Sequence, residues 1–184
     1  MRELALHMLD LMENSVDAGA SRVLVRIEQR RAADTFDIVV EDDGCGFAAD
    51  ACAKLDALAT TKPGKQTGLG LHLFREAART ASGDLTLGRS PLGGASVHVR
   101  MRLTHPDRLP LGDVAASFGA MACVACNVDF SLELFVDGET ETISTGLIRD
   151  SQNELKKGLG FDYSAMRQME SRVSNGLKGL GALT

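Results

Sequence analysis

Leu4, His7, Met8, Leu11, Met12 and Val16 recur at three- and four-residue spacing, which predicts a helix over Glu3–Ala18 that stops at Gly19. Val23–Glu28 then alternates apolar and polar side chains, the period of a half-buried strand. Phe36–Val40 reads as a second strand, flanked by Asp34 and by Asp42-Asp43-Gly44. Ala49–Leu58 suits a short helix, and Thr60–Gly68 a loop rich in Thr, Lys and Gly. A further helix is predicted over Leu69–Ala81, with Leu73, Phe74, Ala77 and Ala81 on its inner face. Asp84–Arg89 and Ser96–Leu103 read as two more strands, joined through a turn at Pro91–Gly94. Helix, two strands, helix, loop, helix, two strands is the order of an α+β fold. It predicts a two-layer sandwich with three helices on one face of a mixed, mainly antiparallel sheet, over residues 1–103.

Residues 104–184 form an extension. His105 to Asp113 is turn-rich, and Val114–Ala125 looks helical. Val128–Val136, Asp137-Gly138 and Glu139–Ile143 together signal a hairpin, and Ser164–Leu180 a helix loosened by Gly176 and Gly179. A hairpin alone is marginal, so this extension is expected to pack on the first unit.

The chain has 184 residues, enough for one domain or one domain with an appendix. Its net charge of -5 argues against a nucleic-acid duplex as the main partner, because phosphate contacts need clustered Lys and Arg. With no Trp and one Tyr, stacking platforms for single strands are scarce. The first predicted helix carries Asp10 and Glu13, unlike a signal peptide, and no stretch approaches the roughly 18 apolar residues of a membrane helix. No membrane association is expected, the expected location is the cytoplasm, and Cys45, Cys52, Cys123 and Cys126 are expected to be free thiols there.

Three segments carry candidate chemistry. In Glu13-Asn14-Ser15-Val16-Asp17-Ala18-Gly19-Ala20, the acids Glu13 and Asp17 lie one helical turn apart without a cation. The amide oxygen of Asn14 is a hard donor of the kind magnesium takes, and a carboxylate beside such a metal could orient water. Read alone, the segment is a solvated helix end. Asp42-Asp43-Gly44-Cys45-Gly46 follows a strand; a carboxylate there can accept from an exocyclic amine such as adenine's, while glycines let the backbone turn. Read alone, it is an Asp-Gly turn. Thr60-Thr61-Lys62 through Thr67-Gly68-Leu69-Gly70 ends at a predicted helix N-terminus, where free N–H groups attract phosphate. It contains no P-loop spacing.

In that order the segments resemble the N box and the two glycine boxes of the GHKL superfamily, which includes gyrase, histidine kinases and MutL. The resemblance spans about residues 1–103. It implies the Bergerat ATP-binding fold, ATP and Mg2+ as cofactors, and a histidine-kinase-like ATPase. Such a protein would hydrolyse ATP slowly or transfer phosphate to a protein partner; without significant catalysis it would be a nucleotide-gated binding module. The implied roles are Asn14 on magnesium and Asp42 on the adenine amine, with Gly44 and Gly46 shaping that pocket. Thr60, Thr61, Lys62, Thr67, Gly68, Leu69 and Gly70 would cover the phosphates, and Glu13 would be the general base; Asp17 joins the nucleotide-binding set. Asp43 stands where the family has Asn, Gln66 replaces a glycine, and Ala95 stands where Thr is common near adenine. The segment His105–Asp113 resembles small stand-alone ATP-binding proteins that accompany iron-only hydrogenases. Asp107, Arg108 and Asp113 are read first as ties between the extension and the sheet. A phosphoacceptor histidine on a dimerising hairpin is not expected in this sequence, so any phosphate transferred is expected to go to another chain. Cys123-Val124-Ala125-Cys126 could be half a metal site or a redox pair, but reads better as two buried thiols at a helix end.

Overall fold

The computed structural model describes residues 3–48, 69–146 and 163–181. Helix α1 runs Leu4–Asp17 and buries Leu4, Ala5, His7, Met8, Leu11, Met12 and Ser15 on one face. Its first two N–H groups have no intrahelical acceptor. Leu4 donates instead to Pro110 O at 3.0 Å and Ala5 to Leu111 O at 2.8 Å, so the segment after residue 109 closes the helix end. Strands β1 (Arg22–Arg30) and β2 (Thr35–Asp42) pair antiparallel from Val23↔Asp42 to Arg30↔Thr35. Their alternation puts Val23, Val25, Ile27, Phe36, Ile38 and Val40 in the core.

Helix α2 (Leu69–Thr80) leads into β3 (Asp84–Arg89), which pairs with β4 (Ala95–Arg102). The buried face of α2 differs from the expected one. Phe74, Ala78 and Ala81 are buried, whereas Leu73 is 39% exposed. Leu71, Phe74, Ala78 and Ala81 step by three and four; Leu73 lies more than a quarter-turn away from that stripe and stays partly exposed.

Helix α3 (Val114–Val124) is apolar nearly all round and packs against both α1 and α4 (Tyr163–Gly179), which explains its composition. Asp113 caps it, accepting from Ala116 N at 2.8 Å. Strands β5 (Asp129–Val136) and β6 (Glu139–Ser144) form the predicted hairpin. β5 then adds to β1 in parallel, from Arg22↔Asp129 to Gln29↔Val136. The sheet is therefore six-stranded and mixed, in the order β3-β4-β2-β1-β5-β6. One hydrophobic cluster runs from Leu4 and Phe74 through Phe118 and Phe130 to Met169 and Val173.

Arg108 ties the connection to the sheet. Its Nε donates to Leu103 O at 2.8 Å, its guanidinium lies 5.0 Å from the Phe36 ring centroid, and burial lowers its pKa. Asp107, by contrast, is exposed, its side-chain accessibility 69%. Cys123 is half-buried and Cys126 exposed, so the pair is not the buried one expected. Among the described residues no three His, Cys, Asp or Glu could share a metal, and no helix is long and apolar enough to cross a membrane. The predicted helix at Ala49–Leu58 and the loop Thr60–Gly68 lie outside the described residues.

Candidate nucleotide site

The C-terminal half of α1, the turn after β2, the start of α2 and the start of β4 enclose a cavity of about 70 Å³. Leu11, Asn14, Ser15 and Ala18 line it from α1, one helical face at spacings of three, one and three. Val40, Asp42, Gly46 and Phe47 contribute from β2 and its turn, Leu71 from α2, and Ala95 and Val97 from β4. Gly46 and Phe47 also wall a larger neighbouring cavity of about 310 Å³, open toward the β3–β4 turn.

Asp42 is the polar centre of this cavity. It is 4% exposed, yet its carboxylate is well supplied with donors. Oδ1 accepts from Gly44 N at 3.0 Å and Ala95 N at 2.9 Å. Oδ2 accepts from Ser15 Oγ at 2.8 Å. Ser15 Oγ also lies 3.1 Å from Leu11 O, but its single proton goes to the carboxylate, the stronger acceptor. Three donors compensate the burial of the charge, and Oδ2 retains a lone pair for one more.

The glycines make this arrangement possible. A Cβ at Gly94 would overlap Asp42 Oδ1 and lie 2.5 Å from Gly44 N, so the β4 backbone can approach the carboxylate only without a side chain. Gly46 turns the chain with φ of +73°.

Asp43 does something different from its neighbour. Its Oδ1 accepts from Ser21 N and Arg22 N, both at 2.8 Å, and its Oδ2 from Ser21 Oγ at 2.7 Å and Arg22 Nε at 3.2 Å. Desolvation alone would raise its pKa, but these four donors outweigh it and hold the carboxyl well below the usual range. Asp42 is the last residue of β2 and Asp43 the first of the turn that follows. Asp42 points to the cavity, while Asp43 clamps the turn between α1 and β1.

The expected residues are thus brought together in part. Asn14, Asp42 and Gly46 line one cavity, and Gly44 donates to Asp42 from its edge. Leu69 and Gly70 open α2, with Leu71 on the cavity wall. Glu13 and Asp17 are exposed on α1 and line no part of it. Thr60, Thr61, Lys62, Thr67 and Gly68 lie outside the described residues.

Ser15, Leu71 and Asp10 were not singled out by sequence. Asp10 sits one turn before Asn14 on the same face and accepts from Asn14 Nδ2 at 3.2 Å. A helical wheel drawn through Asn14 places Asp10 and Ala18 one turn to either side of it, whereas a linear reading draws attention to the adjacent Glu13.

A family profile described as histidine kinase-, DNA gyrase B-, and HSP90-like ATPase matches residues 2–105, more than half of the chain. The chain belongs to that family. It therefore carries an ATP-binding domain of the histidine kinase-, gyrase B- and HSP90-like type. Among curated proteins it is similar to the DNA mismatch repair protein MutL of Sphingopyxis alaskensis, 46% identical over 59 residues. That match covers 32% of this chain and only 9% of MutL's length. Among solved structures, the N-terminal domain of a DNA repair protein aligns with a TM-score of 0.51 at 14% identity, over 97% of this chain and 59% of that one. This likeness establishes the fold. The Aquifex aeolicus MutL ATPase domain complexed with ADP aligns over 78% of this chain and 63% of its own, with a TM-score of 0.48 at 17% identity.

Proposed function

We propose that this ATPase-family domain binds ATP with the adenine amine on Asp42 Oδ2, and that it uses the nucleotide with magnesium to act on or with a protein partner. The observation that carries the reading is the buried Asp42 carboxylate. It is held by Ser15 Oγ, Gly44 N and Ala95 N, with one lone pair left over on the cavity side. A planar amine donor satisfies that lone pair. Leu11, Val40, Phe47, Leu71 and Val97 supply apolar surface for a ring.

The residues fit a magnesium ion held mainly by phosphate and water. Asn14 offers one hard oxygen, and no all-protein cage of acidic or soft ligands is present among the described residues. Magnesium would neutralise phosphate charge when bound. Asn14 would hold it, and the segment Thr60–Gly70, with Thr60, Thr61, Lys62 and Thr67, would cover the phosphates ahead of α2. In this reading ATP is hydrolysed slowly or its phosphate is passed to a partner, with Glu13 as the implied base. Unchanged turnover in Glu13→Gln would remove Glu13 from that role.

The reading is tested by isothermal titration with ATP and a non-hydrolysable analogue, with and without magnesium, in the wild type and Asp42→Asn. Asparagine at 42 can still accept from Gly44 or Ala95, but it loses the charge that strengthens an amine hydrogen bond, roughly 1.5–3 kcal/mol. The expected result is magnesium-enhanced binding weakened at least tenfold in the variant. Equal affinity in both proteins, or none in either, would overturn it.

A further inference from the structure

Cys123 and Cys126 line neither cavity of the nucleotide site, and their setting gives them a chemistry of their own. We propose that the pair is a thiol–disulfide exchange site: a dithiol that a low-molecular-weight disulfide of the glutathione type converts to an intrachain disulfide. Helix α3 ends at Val124 with Ala125 as its C-cap, so the two cysteines straddle the helix end. Cys126 is exposed and Cys123 half-buried. Val124 between them is 83% exposed, so this end of α3 stands clear of the core. A buried thiol is inert, whereas an accessible one can exchange.

Two cysteines three apart do not by themselves make such a site; the anchoring of their turn does. Ala125 N donates to Met121 O, Val128 N to Ala125 O and Asp129 N to Ser21 O, each at 2.9 Å. The chain is thus fixed to α3 just before Cys126 and to the start of β1 just after it, which holds the two thiols about one helical turn apart. Cβ atoms at that spacing lie roughly 5–6 Å from one another. A disulfide needs about 3.5–4.5 Å, so closure asks for a shift of about 1–2 Å. Cys126 lies past the C-cap bond, where such a shift leaves the helix intact. Among the described residues no group of three His, Cys, Asp or Glu could hold a metal, so the pair lacks the further ligands that a zinc site takes.

The exchange balances with the small disulfide as the only oxidant. The Cys126 sulfur, as thiolate, attacks one sulfur of that disulfide. A mixed disulfide forms on Cys126, and one small thiol leaves with the proton that Cys126 gave up. The Cys123 sulfur then attacks Cys126 Sγ, the Cys123–Cys126 bond forms, and the second small thiol leaves with the second proton. Two cysteines are oxidised and one external disulfide is reduced to two thiols. Accessibility sets the order, with exposed Cys126 attacking and half-buried Cys123 resolving. Oxidoreductases set their attacking cysteine at a helix N-terminus. This pair lies at a C-terminus, which suits it to being switched rather than to passing disulfides on.

The test equilibrates the wild-type protein anaerobically in mixtures of reduced and oxidised glutathione, blocks the remaining thiols by alkylation and maps the linkages by mass spectrometry. Thiols joined by so short a span meet at an effective concentration of millimolar or above. With reduced glutathione held at about 0.1 mM, roughly tenfold lower, the Cys123–Cys126 disulfide should exceed the mixed adduct on Cys126 about tenfold, and dithiothreitol should reverse it. Single-thiol variants in a Cys45→Ser, Cys52→Ser background read the order of attack. With Cys123→Ser added, Cys126 should keep glutathione as a stable adduct and form it at least tenfold faster than Cys123 does when Cys126→Ser is added instead. A wild type that accumulates the mixed adduct without closing would overturn the proposal, and so would one that leaves both thiols reduced throughout. Equal rates in the two single-thiol variants would overturn the assigned order. A purified protein whose metal ion shields both thiols until a chelator removes it would make the pair metal ligands and overturn the exchange site.

Discussion

His7 lies inside the core, 3% exposed, with its ring stacked on Phe74 at a centroid distance of 4.7 Å and an interplanar angle of 15°. Its Nδ1 is buried without a hydrogen-bond partner. Burial penalises the charged ring and lowers its pKa from 6.5 to about 4. The folded protein therefore holds His7 neutral at pH values where an unfolded chain would protonate it. The sign follows: stability from this group is fully present above pH 6.5 and is lost as the pH falls from 6.5 toward 4. Across that window unfolding takes up one proton, a slope of about 1.4 kcal/mol per pH unit and roughly 3 kcal/mol in all. His7→Phe keeps an aromatic ring on Phe74 and removes the titration; His7→Leu does so with a smaller side chain. Urea unfolding at pH 7.5, 6.5, 5.5 and 4.5 should show the difference between wild type and either variant changing by about 1.4 kcal/mol per unit below pH 6.5. Every other titratable group is common to both proteins and cancels in that difference. Parallel stability curves would show that His7 becomes charged in place, and the burial argument would fail.

Two further perturbations test the packing around the site. Gly94→Ala places a methyl group against Asp42 Oδ1 and Gly44 N and should cost roughly 2–4 kcal/mol, combining overpacking with displaced hydrogen bonds. Thermal unfolding checks the cost, and ATP binding should weaken along with it; a variant as stable as wild type would contradict the close approach. Asp113→Ala removes the cap on Ala116 N and should cost about 1 kcal/mol by urea unfolding, while Asp113→Ser restores most of it.

The sequence by itself determined the local structure and the order of the chemical segments. Helical spacing in Leu4–Val16, alternation in Val23–Glu28 and the Asp-Gly hairpin at Asp137-Gly138 are properties of neighbouring residues, and backbone physics acts on neighbours. The arrangement of Asn14, Asp42 and Gly68 in three boxes was legible for the same reason.

Only the tertiary structure decided the rest. Nothing local specifies that β5 joins β1 in parallel, since their pairing spans about a hundred residues of chain. Nothing local orders Asp42 against Asp43 either. The two carboxylates differ because Ser15, Gly44 and Ala95 meet one and Ser21 and Arg22 the other. The choice between Leu73 and Ala78 as an inner residue of α2 was settled in the same way, and so was the contact of Asp10 with the Asn14 amide. Helical periodicity offers a stripe, and packing selects which edge of the stripe is buried.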